Sequence, residues 1–200
     1  MRIVVNTGDG DCYAEGGNHF IHSIRRNVDL TVLAHNNSIY GLIKGQASPT
    51  SGLGKEAVVQ REGVVSQPLS PLALAASTGF VARGFSGNKP HLSRLMQAAM
   101  RYRGFSLIDI LQPCVSFNHI NTYKWYKQRA YEINEQTHDR QDLRKALDLA
   151  LEWSDKIPIG ILYQTDKKSF TDQLKALIDT TLVKAPYARN KLESLLEGAE

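Results

Sequence analysis

Apolar residues along this 200-residue chain fall into short runs separated by amphipathic stretches. Five runs read as strands: 2–6, 30–34, 80–83, 105–110 and 158–163. The run 30–34 (LTVLA) is the pattern of a strand buried between two layers. Between the runs lie segments with helical spacing. In 17–26, Phe20, Ile21 and Ile24 share one face. Segments 72–77 and 89–102 each start beside a proline, Pro71 and Pro90, whose fixed φ suits a first helical turn. Helices are also expected over 121–134, 142–154, 170–182 and 187–196.

Strands spaced by helices imply βαβ units with right-handed crossovers on a mostly parallel sheet, an α/β fold of three layers, doubly wound. The alternation gives way after Cys114 to mostly helical sequence. The chain therefore divides into 1–115 and a largely helical C-terminal extension, 116–200, whose tail from Ala185 reads as loose. One long stretch, 44–68, is rich in Gly, Ser, Pro and Thr. A loop of that length in a compact domain is usually functional or mobile.

Composition narrows the classes. A hydrophobic content of 42% supports one substantial core. The net charge of +4 and pI near 9.0 are spread along the chain. There is no Lys/Arg block and no aromatic–basic interleaving, so no nucleic-acid partner is expected. No run approaches a membrane span, and the opening MRIVVNTGDGD is not a signal peptide, so no membrane partner is expected either. Two cysteines, Cys12 and Cys114, are too few for a disulfide framework. A reducing, cytoplasmic compartment follows as the expectation.

The chemistry-bearing feature is a pair of motifs. Gly8-Asp9-Gly10 ends the first strand and Asn36-Asn37 ends the next, with Asp9 and Asn37 separated by 28 positions (37 − 9). That is close to one strand–helix–strand unit of roughly 30 residues. Both side chains should therefore reach the carboxyl edge of the sheet on neighbouring strands, where open α/β sheets bind ligands. A carboxylate and a neutral amide oxygen suit a hard cation such as Mg²⁺, with phosphate oxygens as further ligands. Gly8 and Gly10 permit close backbone approach. Gly16-Gly17-Asn18 precedes a helix whose first amides suit an anion. Alone, each motif is an ordinary turn or loop; the pair at βαβ spacing favours a metal–diphosphate site.

At this pair the sequence resembles the thiamine-diphosphate enzymes. The segments 8–51 (GDGDCYAEGGNHFIHSIRRNVDLTVLAHNNSIYGLIKGQASPTS), 83–87 (RGFSG), 104–127 (GFSLIDILQPCVSFNHINTYKWYK) and 157–163 (IPIGILY) resemble the beta subunit of the 2-oxoacid:ferredoxin oxidoreductases. The resemblance covers almost the whole chain and implies a sheet of the thiamine-diphosphate-binding type. It implies that Asp9 and Asn37 ligate Mg²⁺ with the backbone carbonyl of Ile39. Gly8, Gly10, Asp11, Gly17, Asn18 and His19 would line the diphosphate. Tyr40, Gly41, Leu42 and Lys44 would face the cofactor and the 2-oxoacid, with Leu42 and Lys44 at the reacting centre; without the resemblance Lys44 is a solvated loop lysine. Ile43 departs from the family pattern, where Thr is common, and it lacks a hydroxyl to donate.

The resemblance further makes Cys114 one ligand of a 4Fe–4S cluster, in place of the buried free thiol that composition alone suggests, while Cys12 reads as packing. The family's beta subunit usually begins upstream of the first motif, with a CxxC-type pair and one more cysteine. The chain has none of these and is expected to be N-terminally truncated. The implied reaction is oxidative decarboxylation of a 2-oxoacid to acyl-coenzyme A, with electrons passing through the cluster to ferredoxin. An alpha subunit would supply the carboxylate that activates the cofactor, so the isolated chain should be inactive. The loop 42–66 is expected to gate the substrate, and 2-oxoglutarate, pyruvate and branched acids all remain open. Two alternatives stand: another thiamine-diphosphate enzyme, a decarboxylase or carboligase, and a non-catalytic assembly module or fragment.

Overall fold

The computed structural model describes residues 2–76, 79–174, 180–181 and 183–184. Six strands form one sheet: β1 (Val4–Gly8), β2 (Leu30–Asn36), β3 (Phe80–Phe85), β4 (Phe105–Leu111), β5 (Ala130–Glu132) and β6 (Ile157–Gln164). Their spatial order is β1-β2-β4-β3-β6-β5. Strands β1 to β4 are mutually parallel, and β6 runs antiparallel to β3. The sheet is thus mostly parallel and both central strands, FVARGF and FSLIDIL, are buried along their whole length.

Helices cover both faces. α1 (Gly17–Arg26), α2 (Pro71–Ala75) and α5 (Leu143–Leu151) contribute Phe20, Ile24, Leu72, Ala75, Ala146 and Ala150 to one core, against Val32, Val81, Phe105 and Leu107. α3 (Lys89–Arg101) packs Leu95 and Ala99 on the opposite face, against Phe80, Ala82, Ile108 and Ile110. α4 (Tyr123–Arg129) closes the far end with Tyr126 against Phe85, Leu111, Ile157 and Ile159. The local sequence sets these helices. Ser70, Asn88, Thr122 and Asp142 each cap a first turn through the side-chain oxygen, and Pro71 and Pro90 stand at the opening positions of α2 and α3.

Two features differ from the sequence expectation. The helix expected over 121–134 is shorter: α4 stops at Arg129 and β5 follows, pairing with β6 from Ala130↔Ile157 to Glu132↔Ile159. A three-residue strand has too little sequence for a period, and only the neighbouring β6 supplies its partner. Of the helix expected over 170–182, the described part is a single 3₁₀ turn, Thr171–Gln173, with residues 175–179 and 182 outside the described residues. The helix expected over 187–196 lies wholly outside them. Residues 1–170 form one compact unit and 171–200 a second. No helix among the described residues is long and apolar enough to cross a membrane.

One junction ties the amino ends of β2, β3 and β4 together. Asn27 ends α1 in the left-handed conformation at φ 50°, and its side chain accepts from the Phe105 amide at 2.8 Å. Gly79 sits beside it at φ +79°, where an added Cβ would collide with the Phe105 carbonyl. Gly79→Ala should lower stability by at least about 1–3 kcal/mol from the backbone conformation alone. Thermal unfolding of the variant checks this, and an unchanged melting temperature would contradict it.

Candidate functional site

The parallel register of β1 with β2 places Gly8 beside His35, so Asp9 and Asn36-Asn37 emerge together at the carboxyl edge of the sheet. The chain switches direction here: α1 covers one face and α3 the other, with β4 inserted between β2 and β3. Such a switch opens a crevice at the strand ends.

Asp9 is buried, and its Oδ2 accepts from Ser48 Oγ at 2.6 Å and Thr50 Oγ1 at 2.7 Å. Burial raises its pKa, opposed by these hydroxyls and by neighbouring backbone amides. Asn37 Oδ1 accepts from the Ile39 amide at 3.0 Å, and its main-chain oxygen accepts from Asn118 Nδ2 at 2.9 Å. Asn118 in turn donates its own amide to the Cys114 carbonyl at 3.0 Å. Cys114 is half-buried, and a Cβ added at Gly41 would lie 3.8 Å from its Sγ. The expected metal ligand Asn37, the Gly41 turn and the expected cluster ligand Cys114 are therefore brought together.

The glycines of the first motif act through space as well as conformation. The Tyr40 ring packs directly on Gly10 and leaves no room for a Cβ. Asp11 folds its carboxylate back over Gly8. A single π-helical turn, Asp11–Glu15, then leads into α1, where Gly17 faces open space and Asn18 and His19 are exposed. Such turns recur at functional sites. Beyond Tyr40 the chain makes a tight turn, with Tyr40 and Gln46 paired across its base. Leu42 at its tip is fully exposed, and Lys44 is exposed at φ +61°. Leu42 and Lys44 are thus presented to the outside, whereas Asp9 is buried. Cys12 packs against the core, as expected, and burial pushes its thiol up to about 12.

Several participating residues were not singled out from the sequence. Beneath the two motifs, Asp109 on β4 is buried and accepts from the Tyr13 hydroxyl at 2.8 Å and from Asn36 Nδ2 at 3.1 Å. Asn36 Oδ1 accepts from the Ser38 amide at 3.1 Å, the Ser38 hydroxyl at 3.2 Å and Thr50 Oγ1 at 2.9 Å. Lys55 is buried and donates to the Ser38 carbonyl at 2.8 Å; burial lowers its pKa. A cavity of about 540 Å³ reaches this network from one side, lined in part by Asn36, Thr50, Lys55, Arg83, Asp109 and Trp153. The signal available for Asp109 was its position as the lone carboxylate in the apolar run FSLIDIL. Ser48 and Thr50 had none beyond lying in the long loop.

The donor set at the strand ends is hard oxygen: one carboxylate, one amide carbonyl and main-chain carbonyls. Among the described residues Asp9 has no ion-pair partner and carries a desolvation penalty that a divalent cation would offset. These residues fit a Mg²⁺–diphosphate group. No cluster of three or more His, Cys, Asp or Glu suited to a metal occurs among the described residues.

Comparison with known proteins gives a consistent assignment. The family described as thiamine pyrophosphate enzyme, C-terminal TPP binding domain, matches residues 1–110. The family describing the C-terminal part of the pyruvate ferredoxin oxidoreductase beta chain matches 114–179. The 2-oxoacid:ferredoxin oxidoreductase subunit beta of a Sulfolobus species is 40% identical over 88% of this chain and 62% of its own length. That of Saccharolobus solfataricus is 38% identical over 96% of this chain and 67% of its own. The solved 2-oxoglutarate:ferredoxin oxidoreductase of Magnetococcus marinus, with 2-oxoglutarate, coenzyme A and succinyl-CoA bound, superposes at a TM-score of 0.87 with 33% identity. That match covers 98% of this chain and 67% of the other. The chain thus spans about 62–67% of the length of these relatives.

Burial pushes the Asp109 carboxyl up to about 6, opposed by the Arg83 cation on β3, the Tyr13 hydroxyl and the Asn36 amide. A carboxyl whose folded pKa lies above its ordinary value of 3.8 binds more protons folded than unfolded between the two. Its effect on stability is therefore unfavourable as pH rises from about 4 to about 6. Over that window wild type should lose melting temperature relative to Asp109→Asn, which has nothing to titrate there. Paired thermal unfolding from pH 4 to 7 measures the difference, and a constant difference would contradict the assignment.

Proposed function

This chain belongs to the beta subunits of the 2-oxoacid:ferredoxin oxidoreductases, and from that premise we propose that it supplies the metal–diphosphate end of a thiamine-diphosphate site for oxidative decarboxylation of a 2-oxoacid. The site is completed by an alpha subunit, coenzyme A takes the acyl group, and ferredoxin takes the electrons in the cytoplasm. The observation that carries this reading is the convergence of Asp9 and Asn37 on adjacent parallel strand ends, with Asp9 buried and without an ion-pair partner among the described residues.

When bound, thiamine diphosphate supplies the thiazolium carbanion and the electron sink for loss of carbon dioxide. This chain's residues do the holding. Asp9, Asn37 and the Ile39 carbonyl bind Mg²⁺. Gly8, Gly10, Asp11, Gly17, Asn18 and His19 line the diphosphate, assisted by the first amides of α1. Tyr40 and Gly41 form the wall above Gly10. Leu42 and Lys44, exposed at the turn tip, meet the 2-oxoacid at the junction between subunits, where the Lys44 ammonium complements its carboxylate. Cys114 contributes one thiolate to a 4Fe–4S cluster. Residues 1–115 thereby carry the cofactor end, and 116–200 serve as the beta subunit's own extension. The Magnetococcus marinus relative has 2-oxoglutarate bound, which makes that acid the first substrate to test and pyruvate its comparison.

In the assembled oxidoreductase, Asp9→Asn should weaken thiamine diphosphate binding in the presence of Mg²⁺ by roughly 100-fold or more, since the loss of a direct ligand should be at least as costly as that of its supporting shell. Cys114→Ser should remove the cluster's visible absorption while leaving cofactor binding in place. Calorimetry and absorption spectra check the two outcomes separately. Undiminished cofactor binding by Asp9→Asn would overturn the site, and an unchanged cluster spectrum in Cys114→Ser would overturn its ligand.

A further inference from the structure

The two arms of the candidate site meet at one side chain that belongs to neither. The first arm is the turn after β1: Gly8 to Gly10, then the π-helical turn that carries Tyr13 inward. The second is the turn after β2, Asn36 to Ile39. Asp109, from β4, receives Tyr13 from the first arm and Asn36 from the second, both on Oδ1, at 2.8 and 3.1 Å. Its Oδ2 receives the Asn36 amide again at 3.3 Å.

The polarity of each group dictates what this contact does. An ionised carboxylate only accepts, so the Asn36 amide must turn its NH₂ toward Asp109 and its oxygen away. The oxygen then meets two donors from Ser38, its amide and its hydroxyl, with the Thr50 hydroxyl also in reach. Thr50 has a single hydroxyl proton, and the nearest oxygens it can serve are Asp9 Oδ2 at 2.7 Å and Asn36 Oδ1 at 2.9 Å, with the Ser48 and Ser38 hydroxyls farther at 3.3 and 3.4 Å. Because Ser38 already serves Asn36, the Thr50 proton is available to Asp9. From Asn36 the connection runs along the backbone to Asn37, and Asp9 is reached from Asp109 through the turn that carries Tyr13. Those are the two side chains assigned to the metal.

We propose that Asp109 is a positioning residue that fixes the separation and orientation of Asp9 and Asn37 by clamping Tyr13 and Asn36 together. The proposal rests on the reading of Asp9 and Asn37 as the metal–diphosphate site. Asp109 acts through Tyr13 and Asn36 and is not itself one of the assigned ligands. Its burial between β2 and β3, with the Arg83 cation on the neighbouring strand, leaves it little freedom to move. Partners of this kind typically change metal affinity by about 10–100-fold when replaced.

The test uses the assembled oxidoreductase. Asp109→Asn keeps the shape but removes the charge and replaces one of the two acceptor oxygens with a donor, weakening the hold on Tyr13 and Asn36. It should raise the KM for thiamine diphosphate, and the Mg²⁺ needed for half-activity, by about 10-fold or more, with kcat at saturating cofactor changed by less than about 3-fold. Tyr13→Phe keeps the ring against Phe20 and loses one hydrogen bond, and should move the same two constants in the same direction by a smaller factor. Asp109→Glu should recover part of the loss, since it restores the charge and the second acceptor oxygen. A purely structural role predicts a lower melting temperature with both constants unchanged, and that result would overturn the proposal. Tyr13→Phe decides the matter if Asp109→Asn fails to fold: unchanged cofactor constants there would equally overturn it. Asp9→Asn runs in parallel. If it weakens cofactor binding and Asp109→Asn does not, only the positioning role falls; if Asp9→Asn has no effect, the site falls and the positioning role with it.

Discussion

A carboxylate buried at the centre of a sheet has to be surrounded by donors or give up its charge, and this constraint organises the carboxyl edge of the fold. Asp109 lies on β4, between two strands and under a helical layer, with no solvent to hydrate it. Its donors come from different parts of the chain: Tyr13 from the turn after β1, and Asn36 from the end of β2. The Arg83 cation sits on β3, itself buried and bonded to main-chain carbonyls, including that of Ala150 at 2.8 Å. Satisfying one charge thus holds four strand ends in fixed relation. A core of Leu and Ile in its place would pack as well and orient nothing.

The rest of the site builds outward from that constraint in layers of decreasing burial. Asn36, Ser38, Ser48 and Asp9 form a buried polar layer in which most groups serve more than one partner. Above it lie Asn37, Tyr40 and Cys114, half-buried, tied to each other through Asn118 and the Gly41 turn. Outermost are Leu42 and Lys44 on an exposed turn. This gradient suits a site whose metal end belongs to one chain and whose reacting end meets another. The relatives named as beta subunits are consistent with such a division, since the word implies a companion.

The motif pair was legible because its chemistry is local and its spacing is geometric. Glycine at Gly8 and Gly10, one carboxylate, and two consecutive amides separated by one strand–helix–strand length can only meet if the strands are parallel neighbours, and they are. Helix starts were legible for a similar reason: a capping side chain such as Asn88 and a proline such as Pro90 act within one turn. The end of α4 was not. Nothing in Lys127 to Asn134 announces that the chain leaves the helix at Ala130, because what makes β5 a strand is β6, more than twenty residues further on.

By itself the sequence determined the α/β class, the positions of the strands that make the sheet's centre, and the pairing of Asp9 with Asn37 as candidate metal ligands, since each follows from periodicity, turn chemistry or a motif read within a few dozen residues. Only the tertiary structure decided which groups support those ligands. Ser48, Thr50, Tyr13 and Asp109 lie from 4 to 100 positions from Asp9 (13 − 9 and 109 − 9), and no local pattern links them. Folding brings them together because the β1–β2–β4 order sets three strand ends side by side, and a buried carboxylate among them needs donors from both its neighbours.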